Sequence, residues 1–462
     1  MSAQNTTLAV VNTSGTNINT IDISGVDNYD WDSKNRPDHN FQGAFIATND
    51  SRCQPEDMNS HAKSSPCNFR LYFADGTDLT FRTDQKDALT KHNRLVTTDG
   101  SASQRVKVYQ SSGGDMNALT IVPATLPDNS GWMGKLLEVK PSVTVNALTM
   151  PGSHDAGMYK ITDTSSLCKD EWALTQDRTI FEQLQSGSRY FDLRVRRSNG
   201  VYYTGHYSST SSSATGLNGG SLAEVLNDVV RFMKQDAARR EAVFLKFSHT
   251  EDKLDLADII TKISDGLGDY KFKTPNSNLV IQKTTLNAFS GKVVCLFDSE
   301  FEKKWNFATG VFPYIDIPNP PVNDGFIRVA PFLPPIYDPK LAGPAYTIDE
   351  PGMQVFDHYA DSNSYATMAA DQNGLLSRWG GYDKNYAFLI SWTLTGSVTS
   401  SVKDVRVLAT MCNPHLPNYT TAWRTVKGSG PSAYVPTRPN IVYYDFVTPE
   451  LCSCIIDVNY QK

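Results

Sequence analysis

Met150-Pro151-Gly152-Ser153-His154-Asp155-Ala156-Gly157 and Ser188-Arg189-Tyr190-Phe191-Asp192-Leu193-Arg194 are the stretches whose reading decides the fold. In the first, a strand-like run ends in a Pro-Gly turn that presents a histidine with an acid beside it. In the second, a period of two puts Asp192 and Arg194 on one face of a strand and Phe191 and Leu193 on the other. A carboxylate and a guanidinium turned into an apolar interior are costly unless they pair or bind something. Working outward, strand-like runs alternate with helix-like ones from Gly131 onward. The proposed strands are 145–150, 189–195, 201–205, 242–247, 292–297, 354–357, 387–392 and 441–447. Thr175 to Leu184 and Leu254 to Ile263 read as amphipathic helices between them. Ser221-Leu222-Ala223-Glu224 opens another with a capping-box pattern. Strands alternating with helices predict a parallel sheet, and eight of them predict an α/β fold of the (β/α)8 TIM-barrel type, with irregularities.

The first 130 residues have a different texture. They are rich in Asn, Thr, Ser, Asp and Gly, and strand-like runs replace helical periodicity. Asn68 to Phe73 leads through Ala74-Asp75-Gly76-Thr77 into Leu79 to Arg82, a hairpin signal. Thr7 to Asn12, Phe41 to Ala47, Arg105 to Tyr109 and Ala118 to Val122 read as further strands. The expected division is an all-β, sandwich-like accessory domain over 1–130, serving binding or targeting, and the barrel over 131–462. Pro123 to Gly131 reads as the linker. The Pro-rich stretch 301–352 breaks the alternation and reads as a long loop over the barrel mouth.

Composition narrows the function. The chain has 462 residues, 40% hydrophobic and 20% charged, enough for a sizeable core. Its net charge of −6 lacks the basic footprint of a nucleic-acid binder. No apolar run approaches the ~18 residues of a spanning helix. The N-terminus shows no secretory pattern, which fits a cytoplasmic, non-classically secreted or peripheral membrane protein. Seven cysteines are too few for a disulfide scaffold, and their spacings match no strong zinc pattern; Cys53 and Cys67 would close a short loop if bridged.

Four of the eight histidines, His154, His206, His249 and His358, fall at or just past the C-terminal ends of proposed strands, the rim where barrel active sites assemble. Two histidines and an arginine suit transfer at a phosphodiester. One imidazole takes a proton from the attacking hydroxyl and another gives one to the leaving oxygen. Arginine matches the geometry and charge of the phosphate. Asp155 or Asp192 would fix a tautomer or hold the arginine. Asp445 ends the last strand, which neighbours the first in a closed barrel, so it is placed to orient His154. His249 and His358 read as local hydrogen-bond partners, and Trp392 as core or as a stacking platform.

These motifs, with GWMGKL, FEQLQSGSRYFDLRV, YYTGHYSST, AVFLKFSHTED, VFDHYADSNSYATMAADQ, LISWTLT and NIVYYDFV, resemble the phosphatidylinositol-specific phospholipase C X-domain family, in its bacterial-type, single-domain branch. The resemblance covers about residues 131–460, in the family's order, and nothing before them. It implies that His154 is the general base on the inositol 2-hydroxyl and His206 the general acid for the diacylglycerol oxygen. It implies that Asp192 assists His206 or the leaving group and that Asp155 contacts substrate or arginine. Asp445 pairs with His154, and Arg194 stands where calcium-dependent relatives bind the metal, so no metal or other cofactor is expected. The bacterial enzymes carry a lysine near the end of strand four; here Ser248 falls there, with Lys246 two residues earlier on the same face. Asp357 and Tyr359, with Lys246, Ser248 and Trp392, are the candidate substrate contacts. The implied activity is a calcium-independent phosphodiesterase acting on a phospholipid at a membrane surface. Two alternatives stand beside it: a metal-dependent glycerophosphodiesterase or phospholipase D-like enzyme, and a lipid- or glycan-binding, toxin-like protein with a degenerate barrel.

Overall fold

The computed structural model describes residues 4–12, 14–24, 41–48, 50–58, 67–84, 94–98, 100–113, 116–123, 127–163, 168–317, 324–327, 336–342, 350–382, 384–396, 404–424 and 438–460. The chain forms two compact units. One comprises residues 1–127 with 169–172 and 396–417; the other comprises 128–168, 173–395 and 418–462.

The second unit holds a closed barrel of eight parallel strands: β1 (Met150–Ser153), β2 (Tyr190–Leu193), β3 (Ala242–Phe247), β4 (Lys292–Phe297), β5 (Phe312–Asp316), β6 (Met353–His358), β7 (Ala387–Trp392) and β8 (Ile441–Tyr444). They pair in chain order, and β8 closes on β1 with Ile441 opposite Met150 and Tyr444 opposite Ser153. The expected TIM-type fold is therefore present. Phe191 and Leu193 join an apolar cluster with the helices Ile180–Ser186, Leu222–Met233 and Leu256–Leu267, as period two requires. Thr179–Glu182 and Ser221–Glu224 both form complete capping boxes, satisfying orphan amides at the helix starts.

Two strand assignments need correction. Val201–Tyr207 is not a barrel strand. It pairs antiparallel with Val195–Ser198 and Gly216–Ser221 in a separate three-stranded sheet. The cause is local: Asn199 and Gly200 both have positive φ, 49° and 79°, and pair Ser198 with Val201. A two-residue turn of that kind makes a hairpin, whereas parallel neighbours need a crossover of a dozen residues or more. The missing barrel strand is β5, inside the stretch read as loop. Pro313 conceals it, because proline cannot donate to a ladder. Its pairing to β4 is correspondingly brief, Leu296 with Phe312 and Phe297 with Pro313. The first strand also starts later than expected, since Val145–Ala147 forms a 3-10 turn.

The N-terminal ends of the strands are held by a buried ion pair. Arg189 and Glu241 are both fully buried and meet at 2.8 Å. Glu241 also accepts from the amides of Met133 and Gly134 in the first turn of helix Trp132–Val139. Arg189 donates to the carbonyls of Leu184, Ser188, Asn129 and Ser130. Every donor it directs inward is thus matched, the condition under which such a pair is tolerated.

The first unit contains two four-stranded sheets. One runs Asp50–Met58, Gln4–Asn12, Met116–Pro123, Val106–Gly113; the other runs Ile18–Ser24, Cys67–Phe73, Asp78–Asp84, Arg94–Thr98. Val10, Leu119 and Ile121 of the first share a core with Ile21, Phe69, Leu71 and Phe81 of the second, a sandwich arrangement. The expected hairpin is present, with Gly76 at φ 82°. Phe41–Ala47 is not a strand: it makes one bridge, Ile46 to Ile18, though Phe41 and Ile46 still enter the core. Helix Val405–Cys412 belongs to this unit and packs on strands Gln4–Asn12, Asp50–Met58 and Met116–Pro123. The side chains of Cys53 and Cys67 lie outside the described residues. No helix among the described residues is long and apolar enough to cross a membrane.

Candidate active site

At the C-terminal rim of the barrel, β1 runs into His154 and Asp155. Two glycines of the motif make the local packing feasible. A Cβ on Gly152 would lie 2.9 Å from the Cβ of Tyr443, and one on Gly157 would lie 2.3 Å from the side chain of Thr204. The first gap admits the β8 side chain that faces His154; the second lets strand Val201–Tyr207 come close enough to deliver His206. Asp155 itself has φ 41°, a conformation asparagine and aspartate tolerate better than most residues. Buried Gln176 fastens the rim by donating to the carbonyls of His154 and Tyr444 and accepting from the amide of Val447.

The polar groups form one continuous chain. Asp445 meets His154 Nδ1 at 2.8 Å. A carboxylate only accepts, so neutral His154 carries its proton on Nδ1. Its Nε2 faces Arg194 Nη2 at 3.2 Å, and arginine only donates, so the Nε2 lone pair accepts from the guanidinium. Arg194 Nε lies 2.7 Å from Asp155 Oδ1, and Nη2 lies 3.1 Å from Asp192 Oδ2. The other oxygen of Asp155 meets His206 Nδ1 at 2.5 Å, which directs His206 Nε2 away from the carboxylates. Asp155, not Asp192, is therefore the acid that holds His206. Asp192 instead contacts Arg194 and Ser248 Oγ, the latter at 3.2 Å.

The electrostatics follow from burial and pairing. Burial disfavours charge on His154, but Asp445 and then Asp155 outweigh it, and its pKa is raised above the usual histidine value. Burial pushes the Asp155 carboxyl up; Arg194 and His206 overturn this and hold it below the usual range. Burial likewise pushes Asp192 up, but Arg194 and Lys246 overcome it and hold its carboxyl well below the usual range. Burial opposes the charge of Arg194, yet Asp155 and Asp192 keep it firmly protonated. Burial raises Asp445, and the neighbouring imidazole of His154 limits that rise.

His154, Asp155 and Asp192 are the one group among the described residues whose donor atoms lie close enough together to share a cation. Arg194 lies within 3.2 Å of all three, so its guanidinium is already in contact with each of these residues.

The remaining expected residues divide. Lys246 Nζ pairs with Asp357 Oδ2 at 2.8 Å and lies 3.8 Å from Asp192. Asp357 also accepts from the Tyr314 hydroxyl at 2.7 Å. Ser248 joins the cluster through Asp192. Tyr359 is exposed beyond β6. Trp392 is fully buried against Tyr365 and Tyr419, so its ring offers no open platform. His249 Nδ1 meets Ser248 Oγ at 3.1 Å, and His358 faces Asp371 at 3.9 Å. Sequence reasoning missed Gln176, whose helix-like surroundings hid it, and Tyr443, two residues before Asp445.

No protein-family model matches the chain. Among curated proteins, it is 27% identical over 173 residues to a 1-phosphatidylinositol phosphodiesterase of Listeria monocytogenes, a match covering 37% of this chain and 50% of that protein. It is 26% identical over 226 residues to human PI-PLC X domain-containing protein 2, covering 43% of this chain and 69% of that one. The chain thus spans about half the length of the Listeria relative. Among solved structures, the phosphatidylinositol-specific phospholipase C of Listeria monocytogenes aligns with a TM-score of 0.46 and 19% identity, over 72% of this chain and 99% of that one. By its own closed sheet, the second unit is a TIM barrel with a paired-histidine rim. In sequence the chain is similar, at under 30% identity, to a 1-phosphatidylinositol phosphodiesterase and to a PI-PLC X domain-containing protein.

Proposed function

We propose that this protein is a phosphodiesterase of the phospholipase C type that cleaves a phosphatidylinositol-like phospholipid through two histidines and without a metal ion. The observation that supports this most is the unbroken chain Asp445–His154–Arg194–Asp155–His206. It sets an acceptor nitrogen, a guanidinium and a second imidazole side by side at the mouth of the barrel.

In the first half-reaction, His154 Nε2 takes the proton of a ring hydroxyl next to the phosphodiester. That oxygen bonds to phosphorus, and the bond from phosphorus to the glycerol oxygen breaks. Protonated His206 supplies the proton to the leaving oxygen, giving diacylglycerol and a cyclic phosphodiester. Arg194 stabilises the charge that grows on the non-bridging oxygens, fixed in advance by Asp155 and Asp192. In the second half-reaction the roles reverse: His206 takes a proton from water, the water oxygen bonds to phosphorus, and the ring P–O bond breaks onto an oxygen protonated by His154. Lys246, Ser248, Asp357 and exposed Tyr359 surround the position where the head group would sit, while Trp392, buried as it is, would act only as packing. The lipid is met at a membrane surface, with the sandwich unit as the accessory that brings the barrel there.

The test is release of diacylglycerol from phosphatidylinositol vesicles by the full chain, with and without EDTA, and by His154→Ala. Turnover that survives EDTA and is lost in the variant is expected. Turnover abolished by EDTA would mean that a cation displaces Arg194 from its three partners, and the metal-dependent alternative would hold instead.

A further inference from the structure

We propose that Tyr443 is a positioning residue for His154, forming with Asp445 a two-point clamp at the end of a single strand that fixes both the plane and the tautomer of the imidazole. The proposal rests on the catalytic reading of His154 and goes beyond it. It starts from the end of β8: Tyr443 lies in the strand, Asp445 is the first residue after it, and both reach the same imidazole. Asp445 meets the edge of the imidazole at Nδ1, 2.8 Å away. Tyr443 meets its face, with ring centroids 5.2 Å apart and planes inclined by 13°. Arg194 meets the opposite edge at Nε2. A hydrogen bond to Nδ1 alone leaves the ring free to rock about that bond. A parallel aromatic ring on one face removes that freedom.

Three further features point the same way. Tyr443 is only 6% exposed, and its hydroxyl has a hydrogen bond with Ser391, so its orientation is fixed by packing and by that bond. Gly152 sits directly opposite Tyr443 in the β1–β8 register, and a Cβ there would approach the tyrosine's Cβ to 2.9 Å. The motif glycine thus clears the space that the tyrosine fills. The surrounding charges, Asp155 on β1's extension, Asp192 and Arg194 from β2, and Asp445 from β8, all act on the nitrogens or the net charge of the imidazole. Tyr443 is the aromatic neighbour recorded on its face among the described residues.

The separate contribution of the stack is read from Tyr443→Phe, which keeps a ring, and from Tyr443→Leu and Tyr443→Met, which remove it. In the full-length protein, 15N chemical shifts of the His154 imidazole report the tautomer, and initial rates on phosphatidylinositol vesicles report kcat and KM. The expected result is that Tyr443→Phe matches wild type in both. The Leu and Met variants should lose the single Nδ1–H signature and drop about tenfold to a hundredfold in kcat with KM little changed, as expected of misplacing a reacting group. Leu or Met variants that keep the wild-type imidazole shifts would overturn the proposal, as would a Phe variant as impaired as they are. If Leu fails to fold, the Met and Phe variants still decide it. Should wild type prove inactive on the vesicles, the catalytic reading fails, while the imidazole shifts still judge the clamp.

Discussion

At the residue scale, the account turns on how two carboxylates divide the work. Asp445 serves one imidazole and Asp155 serves the other while also holding Arg194. Asp445→Asn can still bond Nδ1, but as a donor it favours the opposite tautomer and turns the Nε2 lone pair into an N–H. A loss in kcat of about a hundredfold to ten-thousandfold is expected, with binding to vesicles retained; unchanged kcat would contradict the assignment. The raised pKa of His154 has a definite sign. A base that takes up its proton earlier as pH falls places the acidic limb of kcat/KM above the ordinary histidine value of about 6.5. The same shift stabilises the fold fully below that ordinary value, and this contribution is lost as pH rises through the raised one. A pH–rate profile with its acidic limb at or below the ordinary value would oppose the pairing with Asp445. Asp155→Ala removes the tether of His206 and an ion pair of Arg194 together. The double variant with His206→Ala should therefore be little slower than either single one, a non-additivity typical of groups acting as a unit. Fully multiplicative losses would separate the two residues.

At the element scale, the strongest prediction concerns residues far from the chemistry. Arg189 lies in the same strand motif as Asp192 and Arg194, yet it serves the opposite end of the barrel with Glu241. Arg189→Ala leaves a buried carboxylate uncompensated and should cost about 3–5 kcal/mol in urea unfolding; a loss below about 1 kcal/mol would show that the pair is not needed there. Gly157→Ala should lower stability and activity together, because the new methyl must displace Thr204 and with it the strand that carries His206. This is also the scale at which legibility varied. Strong periodicity made β2, β3, β4, β6, β7 and β8 readable, whereas Pro151-Gly152, which reads as a turn after a strand, lies inside β1 and pairs with Val442 and Tyr443. Asn199-Gly200 carries a two-residue hairpin signal, which makes Val201–Tyr207 the return strand of a hairpin rather than a barrel strand. Strand β5 was hidden because Pro313 and its neighbours carry loop chemistry that only the closed barrel overrides. The residues of the site were legible because charged and imidazole side chains at strand ends have few structural uses. Their partners were less so: whether Asp155 or Asp192 reaches His206 depends on a three-dimensional approach that Gly157 permits, and no spacing encodes it.

At the scale of the whole molecule, the two units are interleaved along the chain, since 169–172 and 396–417 return to the sandwich unit. A cut near residue 128 would strip helix Val405–Cys412 of the strands it packs on. The fragment 128–462 should accordingly melt at lower temperature and self-associate more than the full chain in light scattering; an unchanged melting temperature and a monodisperse fragment would show that the return segments are dispensable. The net charge of −6 offers no general attraction to an anionic surface, so docking on lipid would rest on local features rather than on the field of the whole protein. The central claim remains the transfer of phosphorus to an internal hydroxyl between two histidines. It is tested most directly by following the water-soluble product by 31P NMR during turnover of phosphatidylinositol vesicles. The account predicts that a cyclic phosphodiester accumulates first and gives way to an acyclic monoester later. An acyclic monoester from the earliest time point, with no cyclic species preceding it, would contradict it.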